Sequence, residues 1–175
     1  MSVLRDVLQP GLELVFVGIN PGVRSAATGH HYAGAGNHFW PLLFASGLVD
    51  EPLTYEQDAR VSEWGIGLTN MVARPSPGLS DLTPAELRSG ARALRRRLLR
   101  YRPRLVCFNG KRIYEVFAGH ACELGVQPQR IGDAPVFVMP STSARGATYQ
   151  RPAKLKFFRD LRVLRDRLRR EAVAS

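Results

Sequence analysis

The stretch LELVFVGINPG, residues 12–22, decides how the rest of the chain is read. Residues 12–17 form a short, mostly apolar run between Gly11 and Gly18, the length of a buried strand and too short for a helix. The turn that follows is not the G-x-G-x-x-G of a dinucleotide site, nor does it end in the Gly-Lys-Ser/Thr of a phosphate loop. A strand therefore runs into a turn that expects something other than a pyrophosphate.

Working outward, three more runs have the same character: GIGLTN (65–70), RLVCF (104–108) and VFVMP (136–140). Helical stretches lie between and after them, at 38–48, about 83–101, 112–119 and about 153–170. The helix beginning after Thr83 carries a start signal, with Thr83 as N-cap, Pro84 in the first turn and Glu86 three residues on. Strands alternating with helices predict a three-layer α/β/α fold with a central, mainly parallel four-stranded sheet. With no internal repeat and no linker, residues 1–175 read as one domain. No apolar run approaches the roughly 20 residues a membrane helix needs. The two cysteines, Cys107 and Cys122, have neither metal-ligand spacing nor a disulfide framework and read as reduced, buried thiols of a cytoplasmic protein.

The formal charge of +10 is unevenly placed. Residues 1–83 carry a net −4 and residues 84–175 a net +14. A basic half suggests a polyanion partner, nucleic acid first; an arginine-rich solvated surface accounts for the same charge equally well.

In parallel sheets with helices on both faces, ligands bind beyond the carboxyl ends of the strands. That rule selects the loops 18–37, 70–82, 109–111 and 141–152. Gly110 and Lys111 open a helix after the third strand, a natural place for a phosphate. His30, His31 and His38 lie close in sequence but lack metal-site spacing, so no metal and no cofactor are expected.

Taken together, GINPG (18–22), GHHYAGAGNHFW (29–40), TNMVARPSPGLSDL (69–82), NGK (109–111) and MPSTSARGA (139–147) closely resemble the mismatch-specific uracil-DNA and thymine-DNA glycosylases of the uracil-DNA glycosylase superfamily. The resemblance runs from about residue 4 to 168. The SAR sequence is more similar to the thymine-DNA glycosylase branch than to the bacterial one, where a Gly-Leu-Ser type is usual. It implies a monofunctional enzyme that flips a uracil, or more slowly a thymine, out from opposite guanine and hydrolyses its N-glycosidic bond, leaving an abasic site. The implied partner is double-stranded DNA with G:U or G:T mismatches, and the implied protein is monomeric and, in a bacterial source, cytoplasmic or nucleoid-associated. A catalytically silent mismatch-binding protein on the same fold is the alternative.

The resemblance also distributes roles. Asn20 would position the attacking water; an amide can accept from water but cannot take its proton as a carboxylate would. Other branches of the superfamily carry Asp there. Tyr32 would stack on the flipped base, and Gly18, Ile19 through its backbone, and Asn70 would meet the pyrimidine edge. His31 would touch the pocket or be a loop histidine without a special role. Asp81 would help activate water if loop 74–82 folded over the cleft; an exposed turn residue is the plainer reading. Arg145 would fill the gap left by the flipped nucleotide, with Ser143, Ala144 and Gly146 allowing close approach to the backbone, or would be a phosphate contact.

Overall fold

The structure is a computed structural model that describes residues 4–144 and 149–175. Strand β1 (Leu14–Gly18) lies inside the sheet, paired in parallel with β2 (Ile66–Asn70) on one side and β3 (Val106–Asn109) on the other. Strand β5 (Val136–Met139) extends the sheet in parallel beyond β3, and the two-residue β4 (Gly125–Val126) closes it in the antiparallel sense, giving the order β2-β1-β3-β5-β4. The four strands read from the sequence are the four parallel ones. The fifth is too short to show any period and has only one neighbour.

Side-chain alternation along β1 feeds two cores. Leu14 and Phe16 point to one face, where α2 (Phe39–Ala45), a 3-10 segment (Tyr55–Trp64) and the long α5 (Arg151–Ala174) pack. Phe16, Phe39 and Phe158 form a triangle there with ring centroids 5.0, 6.1 and 6.2 Å apart, tying sheet, α2 and α5 together. Val15 and Val17 point to the other face, covered by α3 (Pro84–Tyr101) and α4 (Lys111–Ala118). Each fully buried side chain of this kind is worth about 1.5–3 kcal/mol. With both faces covered, the strands read as continuous apolar runs rather than alternating ones.

The start of α3 forms as its signal requires: Thr83 Oγ1 accepts from Glu86 N–H (3.1 Å) and Glu86 Oε1 accepts from Thr83 N–H (3.1 Å). Besides the fifth strand, two elements differ from the sequence reading. Residues expected to be loop include a short helix, α1 (Val23–Thr28), and the 3-10 segment at Tyr55–Trp64 was not foreseen. Val61 and Asp58 are that segment's buried residues, too few to produce a period. Among the described residues no helix is long and apolar enough to cross a membrane.

Candidate functional site

Beyond Gly18 the chain leaves the sheet, but its carbonyls stay paired: Gly18 O accepts from Met71 N–H (2.9 Å) and Ile19 O from Val72 N–H (2.8 Å). This keeps the turn after β1 and the loop after β2 side by side. Asn20 lies between them. Its Nδ2 donates to Arg74 O (2.7 Å) and to Ser76 Oγ (2.8 Å). A backbone carbonyl can only accept, so the amide orientation is fixed by chemistry: nitrogen into the loop, Oδ1 away from it. Among the described residues nothing donates to Oδ1.

Ser76 makes this geometry possible and was not singled out in the sequence. It is buried, its N–H donates to Pro21 O (3.1 Å), and its hydroxyl donates to Gly78 O (2.8 Å) while accepting from Asn20. The loop is strapped to α3 by a two-point pair, Arg74 Nε and Nη2 to the Glu86 carboxylate at 2.6 and 2.9 Å. The Arg74 guanidinium holds the Glu86 carboxyl at about 2, so this strap is intact above the ordinary glutamate range and loosens only as pH falls through about 2. Asp81 is exposed, and its Oδ2 accepts from Gly78 N–H (3.0 Å), closing a single 3-10 turn.

Gly18, Tyr32 and Asn70 lie close together. A β-carbon on Gly18 would stand 2.5 Å from Asn70 Oδ1 and 3.3 Å from the Tyr32 hydroxyl, so only glycine leaves room for both. Arg97 of α3 donates to Asn70 O (2.9 Å) and fixes the backbone behind that amide. Tyr32 stacks on Phe39, with centroids 4.0 Å apart and planes inclined by 18°. Burial raises the Tyr32 hydroxyl's pKa, partly offset by the Asn109 side chain beside it. The hydroxyl is thus neutral throughout the physiological range, although the residue as a whole is only half-buried.

His31 is buried, and its Nε2 donates to Arg5 O (2.7 Å), so Nε2 carries the proton. Burial lowers its pKa and keeps it neutral. His30 pairs with Asp58 instead (3.0 Å), and His38 stands at the start of α2. Among the described residues no three His, Cys, Asp or Glu side chains converge as metal ligands. Cys107 is buried in β3 and Cys122 is half-buried, so only the first matches the expected buried thiol.

After β5, Thr142 anchors the next loop from three sides. It exchanges two bonds with the Asn109 side chain (2.9 and 3.0 Å), and its carbonyl accepts from His38 N–H (3.0 Å). Ser143 follows, its carbonyl accepting from the buried Lys154 Nζ at 3.4 Å. The exposed Ala144 lies against the 34–37 loop, its β-carbon 3.3 Å from where one on Gly36 would be. Arg145 and Gly146 lie outside the described residues. Gly110, at φ 142, occupies a backbone region that favours glycine and caps α4, with Lys111 exposed on its first turn.

The fold and site define an α/β protein whose candidate site gathers polar residues on the loops at the carboxyl ends of a parallel sheet. The profile of the Uracil DNA glycosylase superfamily matches residues 5–162, and the chain belongs to that superfamily, whose members are typically hydrolytic DNA glycosylases. In structure it is similar to a protein from Methanosarcina acetivorans, solved by solution NMR, whose name proposes a uracil DNA glycosylase. That likeness has a TM-score of 0.59 at 20% identity, covers 92% of this chain and 98% of the other, and bears on the fold alone.

Proposed function

We propose that the protein is a monofunctional, mismatch-specific DNA glycosylase that hydrolyses the N-glycosidic bond of uracil, and more slowly thymine, opposite guanine. The observation that carries this reading is the Asn20 amide, locked through Nδ2 so that Oδ1 is offered to a water. A pure binding protein has no need of such an arrangement. Asn20 orients the water without taking its proton, so the reaction depends on departure of the base. Tyr32, backed by Phe39, is the wall for the flipped pyrimidine, and Asn70 reads its edge beside Gly18. Arg145, on the loop anchored by Thr142, plugs the gap in the duplex. Gly110, Lys111, Ser143 and Ala144 meet the phosphates. Asp81, whose Oδ2 accepts from Gly78 N–H, shapes the loop rather than activating water.

The test is base release from a labelled duplex, read by alkaline cleavage of the abasic product. Cleavage of G·U, slower cleavage of G·T and much slower cleavage of A·U is the expected result. Binding of G·U without cleavage would instead establish the silent mismatch-binding protein. Gly18→Ala supplies a sharper check on the pocket. The new methyl group must displace the Asn70 side chain, so uracil release should slow by at least about tenfold, with duplex affinity unchanged. An unchanged rate would remove Asn70 from base recognition.

A further inference from the structure

We propose that Asp58 is a positioning residue for the base-stacking wall, its buried carboxylate fixing the loop that aims Tyr32. The inference rests on the role given to Tyr32 above. Tyr32 sits at φ 53, a backbone region that non-glycine residues rarely occupy. Such a conformation persists only where its surroundings over-determine it.

The surroundings do so on both sides of Tyr32. Asp58 Oδ2 accepts from His31 N–H at 2.8 Å, and its Oδ1 accepts from His30 Nδ1 at 3.0 Å. Trp40 Nε1 donates to His31 O (3.1 Å), and Ala33 N–H donates to Ser25 Oγ (3.1 Å). Every described hydrogen bond in this cage is local to residues 25–40 except three: the two to Asp58, and the one from His31 to Arg5.

Asp58 is the only carboxylate among these partners and grips both residues that precede Tyr32. At 7% exposure it bears a desolvation cost that only such donors offset. The capping box of its own segment is closed by Thr54 and Gln57, without Asp58. Among the described residues no lysine or arginine pairs with it, and its one basic side-chain partner is His30. The carboxylate serves the 30–33 loop, and through that loop the ring of Tyr32.

Single-turnover uracil release from a G·U duplex, at saturating enzyme, tests this with Asp58→Ala, Asp58→Asn, Tyr32→Ala and the Asp58→Ala/Tyr32→Ala double variant. Asp58→Ala should slow release by about tenfold or more and leave duplex affinity unchanged. Asp58→Asn should stay within about threefold of the parent: its Oδ1 still accepts from His31 N–H, and its NH₂ donates to the other tautomer of His30. Asp58→Ala should add nothing once Tyr32 is already alanine. Additive slowing in the double variant overturns the proposal and leaves the wall intact. A parental rate in Tyr32→Ala refutes the wall itself, and the proposal with it. Should Asp58→Ala not fold, Asp58→Asn still decides: a folded Asp58→Asn variant slowed tenfold or more overturns the inference.

Discussion

Asn20→Ala is expected to slow uracil release by about 10²–10⁴-fold, the range that one positioned proton-handling group contributes, with G·U duplex binding close to that of the parent. The fold should survive, because the partners left behind, Arg74 O and Ser76 Oγ, lie at an exposed and a half-buried contact where water can replace the amide. Asn20→Asp is the more informative companion. A carboxylate would bring an oxygen to Arg74 O, which offers no proton, so one contact turns repulsive unless the side chain rotates or is protonated. The loop is therefore matched to an amide, and Asn20→Asp should not gain the full rate of a carboxylate base. Single-turnover rates across pH check both variants. An Asn20→Ala enzyme releasing uracil at the parental rate would remove Asn20 from the mechanism.

Much of this site was legible in the sequence because its parts lie at the ends of strands that announce themselves. The apolar runs at 12–17, 65–70, 104–108 and 136–140 locate the sheet, and the capping box at Thr83 and Glu86 locates α3. Residues that hold the functional groups in place were not legible. Ser76 reaches Asn20 across 56 positions, Asp58 reaches the histidines across 27 and 28, and Thr142 meets Asn109 across 33. Such pairs follow from strand order and loop path, not from local pattern. Lys154 was hidden for a different reason: in a chain with 25 lysines and arginines, one buried cation looks like all the exposed ones. Arg97 is similar: one of several arginines on α3, it turns inward to the Asn70 carbonyl.

The dependence on leaving group should be large, and it follows from the same amide. With no carboxylate to draw a proton from the water, bond making lags behind bond breaking. The transition state then resembles a separated sugar cation and pyrimidine anion, with most of the negative charge at N1. A substituent that stabilises that anion lowers the barrier, and each ~1.4 kcal/mol of differential stabilisation is worth tenfold in rate. The expected order, all opposite guanine, is 5-fluorouracil faster than uracil and uracil faster than thymine, each step about tenfold or more. Thymine is handicapped twice. Its methyl group destabilises the anion, and it must fit beside Gly18, where a β-carbon would already stand 2.5 Å from Asn70 Oδ1 and 3.3 Å from the Tyr32 hydroxyl. Single-turnover rates on the three duplexes separate the two handicaps, because fluorine changes the electronics of the ring with little change in size. A series in which 5-fluorouracil is no faster than uracil would mean that base departure does not limit the rate, and the water at Asn20 would then need a true base.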